Sequence, residues 1–382
     1  MLFPHMLSRS VFRWSAIPFS MRCKTATAIA LLALTAMVPA YSARGETAAS
    51  GEPVVTAADM NALIAAAKQE GSVTWAVSPS FLPGVQPLQA LVKQLYGIDI
   101  KITANATLSY PAKVAKSALE MKSHVPASYD LLDITDLILV QAENLGVAAT
   151  VDYKKYNSAL PADAILHGRM LINSDQYLAP VYNTAKLAGA GIPTTWNALT
   201  APSLKGKIVA SEGVQDMIWL GQSDAMGPDK MLALAKALGQ QDLFRGRYGD
   251  QLDRITSGEY TISTGIITSN YIEAKNKGAP IAMADMEYVR LNHYGTIVPV
   301  NVQHPNASVL VSLALATPQG QKLHDQFGHS TAVWATGAVA SDFPASMLKG
   351  KVVIDDVAWL AEPPTAELAK KVDGLLSGDG SK

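Results

Sequence analysis

From residue 60 onward the apolar positions switch between two spacings. Met60, Leu63, Ile64 and Ala67 fall at i, i+3, i+4 and i+7, after a capping-box-like start at Thr56–Asp59 and before Gly71, so a helix is predicted there. Ser72–Val77 reads as a strand. Val85, Leu88, Leu91, Val92 and Leu95 mark a second helix that stops at Gly97. Ile98–Thr103 alternates apolar and polar, as a half-buried strand does. Ser109 as cap and Pro111 in the first turn open a helix to about Lys122. Asp130–Ile134 is then a strand and Asp136–Leu145 a helix. This βαβαβ order predicts a mostly parallel sheet with helices on both faces.

The pattern loosens over 147–175. It resumes with "QYLAPVYNT", an apolar strand that ends in Tyr182, Asn183 and Thr184. A short helix holds Trp196. Strands are predicted at 206–210, 260–263 and 279–283, and helices at about 214–221, 228–238 and 266–277. A second α/β unit therefore occupies roughly 180–283. A strand at 296–300 and helices at about 306–316 and 318–327 have no sheet of their own and are expected to pack on the first unit.

The first 43 residues differ from the rest. They carry Arg9, Arg13, Arg22 and Lys24 and no acid, then the uncharged run Ala26–Val38, then Ala40-Tyr41-Ser42. A basic segment, a short apolar segment and a small-x-small pattern predict a cleaved secretory signal peptide over 1–43, with Met1 or Met21 as the start. The run is short for a membrane span. Cys23, the only cysteine, precedes the apolar segment, so the mature chain is expected to have no disulfide, thiolate chemistry or cysteine-bound metal. The formal net charge is −1, and removing four basic residues takes it to −5. Nucleic-acid binding has no compositional support.

Open α/β sheets bind ligands beyond the carboxyl ends of their strands. Those positions are rich in hydroxyls and acids here: Ser78 and Ser80; Thr107, Ser109 and Tyr110; Asp133, Thr135 and Asp136; Tyr182 and Asn183; Glu212 and Gly213; Thr264. Each also has a structural reading as a helix cap or turn residue. Asp133 and Asp136 straddle a strand end, either as a cation site or as one structural acid and one cap. His293 and Tyr294, near Glu287, Tyr288 and Arg290, form either an acid–base or metal cluster or a solvated connector. Nucleophile-elbow, phosphate-loop, dinucleotide-loop and HExxH motifs are lacking.

Four stretches together resemble a known family. "LIAAAKQEGSVTWAVSPS", "LAPVYNTAKLAGAGIPTTWNALTAPSLKGKIVAS", "GEYTISTGIITSNYIEAKNKGAPI" and "HPNASVLVSLALATPQGQKL" are similar to blocks of extracellular solute-binding proteins of ABC importers. The resemblance is to family 1, the ferric-iron and small-ion branch of the type II periplasmic fold. It implies two α/β lobes with a ligand cleft between them and two crossover strands. The organisation implied is a signal peptide at 1–43, lobe 1 at 44–178, lobe 2 at 179–284, and a return to lobe 1 with C-terminal helices at 285–382. It also implies a periplasmic monomer without a cofactor and without catalysis, closing on a small molecule or ion and docking on an ABC permease. Iron-binding members use adjacent tyrosines at the block matching Thr268–Ile272. Here Ile272 takes the second place, so only Tyr271 carries over, as a ligand candidate and the one metal candidate; Asn270 beside it is a further ligand candidate. A ferric complex, a small organic anion or phosphonate, and a polyamine or other cation are the ligand classes in play. A secreted enzyme on the same scaffold and a sensor without a transporter are the competing functions.

Overall fold

The computed structural model describes residues 54–335 and 349–378. The predicted signal peptide, its alternative start Met21 and Cys23 lie outside the described residues.

The strands are β1 (Ser72–Ala76), β2 (Lys101–Asn105), β3 (Leu131–Thr135), β4 (Ile165–Leu166), β5 (Met170–Ala179), β6 (Val181–Asn183), β7 (Ile208–Ser211), β8 (Phe244–Gly246), β9 (Ile262–Ser263), β10 (Ile266–Ile267), β11 (Ile281–Met283), β12 (Tyr288–Ile297) and β13 (Lys351–Ile354). The helices are α1 (Met60–Glu70), α2 (Val85–Tyr96), α3 (Tyr110–Lys122), α4 (Asp136–Asn144), α5 (Tyr153–Tyr156), α6 (Pro228–Gly239), α7 (Tyr248–Thr256), α8 (Thr268–Asn276), α9 (Pro305–Leu315), α10 (Pro318–Gly328), α11 (Val357–Ala361) and α12 (Pro363–Leu376).

Local chemistry accounts for the helix ends. The Asp59 carboxylate, rather than Thr56, accepts the Ala62 N–H at 2.9 Å to start α1. Gly71 ends α1 at φ 68°, a left-handed conformation in which glycine pays no Cβ penalty.

Two sheets result. The first runs β10-β5-β12-β3-β1-β2, with β4 on β5 and β13 on β12; the second runs β11-β6-β9-β7-β8. Both are mixed, which corrects the mostly parallel expectation. β2-β1-β3 are parallel as predicted, and so are β7 and β9, while β8, a strand not expected from the sequence, pairs parallel with β7. β5 and β12 run antiparallel beside them. These two ten-residue strands were missed or shortened because they are buried on both faces and polar inside: Asn173, Ser174, Asp175 and Gln176 on β5, Arg290 and Asn292 on β12. The strand expected at 296–300 is the end of β12. The connector expected around His293 is its middle. The helix expected at 214–221 is a 3-10 turn at Ile218–Gly221, and the helix expected from 266 begins at Thr268, after β10.

The chain changes sheet at Pro180, between β5 and β6, and again between β9 and β10 and between β11 and β12. At the second change the chain passes close to Leu178: a Cβ on Gly265 would lie 2.5 Å from its Cδ2, so that buried side chain would have to shift. "LAPVYNT" is thus the first passage between sheets. Helices α1, α2 and α9 pack with Trp75 and Phe81 around the first sheet. The C-terminal segment divides its contacts. β13 extends β12 in the first sheet, whereas Val372 and Leu376 of α12 join the core of Trp196, Trp219 and Leu234 beside the second.

Candidate functional site

A cavity of about 650 Å³ opens between the two sheets. The turn after β1 brings Ser78, Ser80 and Phe81 to it, the start of α3 Tyr110, and the middle of β3 Asp133. The polar middle of β5 adds Asn173, Ser174 and Gln176, and β12 adds Tyr294. On the far side stand Tyr248 at the start of α7 and Ser269, Asn270 and Glu273 on one face of α8.

Asp133 is the electrostatic centre. Its Oδ2 accepts the Ser78 N–H at 2.9 Å, and Oδ1 is buried without a hydrogen-bond partner. Burial pushes its carboxyl pKa up, opposed by the Lys113 charge and by Ser78 and Asn173. Lys113, fully buried, donates to the Val77 carbonyl at 3.2 Å and the Asp133 carbonyl at 3.1 Å. Its amine is lowered to about 8 by burial, against the pull of Asp133. The ammonium sits 4.6 Å from the centre of the Tyr110 ring. Tyr110 and Ser78 hydroxyls are 2.7 Å apart, and Tyr110 stands edge-on to Tyr294.

On the other wall, Gln176 Oε1 accepts from the Thr268 hydroxyl and the Ser269 N–H, both at 2.9 Å. A residue of the passage strand β5 therefore caps α8 and sets the face that carries Asn270 and Glu273. Tyr248 donates to Asp216 at 2.6 Å. Burial lifts the Asp216 carboxyl to about 7, opposed by that bond and by Arg290.

Of the residues expected from the sequence, the cavity gathers Ser78, Ser80, Tyr110, Asp133 and Asn270. The others stand elsewhere. Thr107 closes a turn with Asn105, and Ser109 precedes α3 without a side-chain cap bond. Thr135 accepts the Ile138 N–H at the start of α4. Asp136 accepts the His293 N–H at 2.8 Å. It lies beside the buried pair of Arg290 and Asp355, joined at 2.8 and 2.5 Å. Tyr182 is in the second core, and the Asn183 amide holds the Ile255 carbonyl at 2.8 Å. Glu212 faces outward to Arg247 at 3.4 Å, and Gly213 lies against the Gln215 side chain. Thr264 is buried, its N–H on the Val209 carbonyl. Tyr271 packs among Val181, Val209 and Ile266 and bonds the Met283 backbone. His293 bonds Asp175, and that carboxylate holds its imidazole pKa up against burial.

Sequence reasoning missed Asn173, Ser174, Gln176, Tyr248, Glu273 and His324, and offered Tyr294 only as part of a cluster with His293, not as a wall of the cleft. The signal available was the polar run Asn173–Gln176 inside an apolar stretch, a buried strand with no hydrophobic excuse for its side chains.

Residues 146–289 match the family model described as bacterial extracellular solute-binding protein. Among solved structures, a substrate-binding protein of an ABC transporter from Agrobacterium tumefaciens is similar with a TM-score of 0.64 at 14% identity, covering 80% of this chain and 93% of that one. The iron- and citrate-bound IdiA (FutA) of Trichodesmium has a TM-score of 0.61 at 16% identity, covering 80% and 99%. The spermidine/putrescine substrate-binding protein PotD of Streptococcus pneumoniae has 0.60 at 12%, covering 80% and 99%. No curated protein sequence matches significantly. The family match bears out the resemblance read from the sequence, and the structures share the two-lobed α/β fold with its interlobe cleft. Among the described residues no helix is long and apolar enough to cross a membrane.

Proposed function

We propose that this chain, whose residues 146–289 carry the extracellular solute-binding match, is a periplasmic binding protein for a small ammonium-bearing solute. It closes its two lobes on that solute and delivers it to an ABC import permease. One observation carries the ligand class. Among the described residues, the only formally charged side chains lining the cavity are Asp133 and Glu273, and neither lysine nor arginine lines it. An anion brought there would be desolvated against Asp133 and Glu273, while the nearest cation, Lys113, lies buried behind Asp133 and does not line the cavity. An ammonium would meet the carboxylate, the hydroxyls of Ser78 and Ser80, and the faces of Tyr110 and Tyr294. The cavity volume suits a small molecule.

The ferric reading has less support. Tyr271 sits in the second core. The phenols that do line the cavity are tied to Ser78, Asp216 and Asn292. Burial pushes all three up, which opposes the phenolate that ferric iron requires. Catalysis also lacks support: Ser78 Oγ pairs with Tyr110, whose phenol holds its proton too tightly to act as a base.

A thermal-shift panel tests the reading with putrescine, spermidine and 4-aminobutyrate against methylphosphonate, citrate and ferric citrate. An amine is expected to raise the Tm by mass action. A shift with an anion or ferric citrate alone rejects it.

A further inference from the structure

At one end of the cavity, in α10, His324 is only 4% exposed, and neither ring nitrogen has a hydrogen-bond partner. The imidazole is stacked on Phe81, centroids 4.3 Å apart and planes 15° from parallel. It is thus held in one orientation by an apolar neighbour while its polar edge is unsatisfied. Leaving buried donors and acceptors unpaired costs about 1–3 kcal/mol each. Such an arrangement persists where a binding partner supplies the bond.

The next turn of α10 shows where that partner would approach. Gly328 lines the cavity, as do Phe81, His324 and Ser330. A Cβ on Gly328 would project to within 3.3 Å of His324 Nδ1 and 3.8 Å of both Phe81 Cδ2 and Ser330 Oγ. With no side chain at 328, the buried Nδ1 is bordered there only by main chain, with the Ser330 hydroxyl on the other side.

We propose that the slot over Gly328 is a subsite for a hydroxyl group of the ligand, bound between His324 Nδ1 and Ser330 Oγ. This rests on the amine reading above and sharpens it: the solute is a hydroxylated amine, an amino alcohol or amino sugar. The two subsites are linked by one turn, because Ser78, whose N–H is on Asp133, also accepts the Phe81 N–H at 3.1 Å. The chemistry of the slot favours a neutral partner. Burial lowers the His324 imidazole to about 3, so the ring stays uncharged at neutral pH. A neutral imidazole offers one donor and one acceptor, which a hydroxyl complements in either orientation. A site built to bond a hydroxyl discriminates strongly against the analogue that lacks it.

Calorimetric titration with matched pairs tests this: 1,3-diamino-2-propanol against 1,3-diaminopropane, and 3-amino-1-propanol against propylamine. The hydroxylated member of a pair is expected to bind about tenfold tighter to the unaltered chain. Gly328→Ala, which narrows the slot, and His324→Leu, which removes the imidazole while keeping an apolar face on Phe81, should each erase that preference. In both variants the readout is the affinity ratio within each pair, whatever happens to the affinity for the plain amine, with a Tm measurement confirming that they are folded. If amines bind but the hydroxyl makes no difference, or the preference survives both substitutions, the slot is overturned and the amine reading stands. If no amine of either kind binds, the amine reading falls and this inference with it.

Discussion

The strand ends of the two sheets look alike in sequence and do opposite work. After β1 in the first sheet, Ser78 and Ser80 turn into the cavity, and Asp133 reaches it from within β3. After β6, β7 and β9 in the second, the polar residues serve the lobe itself: Asn183 holds a helix carbonyl, Thr264 is buried against the sheet, and Glu212 points out to Arg247. The second lobe reaches the cavity through the first turns of α7 and α8 instead. A polar strand end therefore marks a site only where its sheet edge faces the cleft. Elsewhere the same side chains satisfy backbone groups that burial would leave unpaired.

That contrast can be broken by substitution. The largest effect is expected at Arg290, where the two lobes meet: it pairs with buried Asp355 and donates to the Gln215 carbonyl after β7. Arg290→Ala leaves Asp355 uncompensated beside Asp136 and should cost about 3–5 kcal/mol in urea unfolding. A loss near that of a surface pair would show the network to be solvated. Asn183→Ala comes next. It orphans the Ile255 carbonyl and should cost about 1–3 kcal/mol of stability while leaving solute affinity unchanged. Weakened binding would return the second sheet's strand ends to the site.

A third effect depends on pH. Asp216 is raised to about 7 by burial, opposed by its bond from Tyr248 and by Arg290. Its folded form keeps a proton that the unfolded chain gives up near pH 4. Its contribution is therefore present below pH 4 and is lost as pH rises toward 7. Asp216→Asn should flatten that fall by up to about 1.4 kcal/mol per pH unit. Parallel stability curves for the two proteins would contradict the assignment. The smallest effect belongs to Tyr271→Phe: about 1 kcal/mol of stability from its bond to Met283, and no change in affinity. Binding that weakens in this variant would bring Tyr271 back as a ligand contact.

The parallel half of the first sheet was legible because its strands and helices alternate with clean periods, as were β7, β9 and the passage at Leu178–Val181, whereas the three-residue β8 and the polar α7 after it were not. β5 and β12 were not, since a buried strand filled with Asn, Ser, Asp, Gln and Arg has neither an apolar run nor an alternation to read. The site followed the same division. Asp133 and Ser78 stood at readable strand ends. Gln176 opened the strand read as "QYLAPVYNT" and Tyr294 stood in a candidate cluster, but the buried polar segments of β5 and β12 around them had no readable period. His324 and Glu273 sit on helices where only the third dimension separates the cleft face from the others. Tyr271 shows the reverse error, since the family block pointed to it while helical geometry turned it into the core.

The most direct test is calorimetric titration of the unaltered chain and Asp133→Asn with the amine that gives the largest thermal shift. Binding to the unaltered chain, weakened in Asp133→Asn by about 1–3 kcal/mol, or roughly ten- to a hundredfold, is the predicted result. Equal affinity in the two proteins would contradict the assignment of Asp133 as the carboxylate that holds the solute.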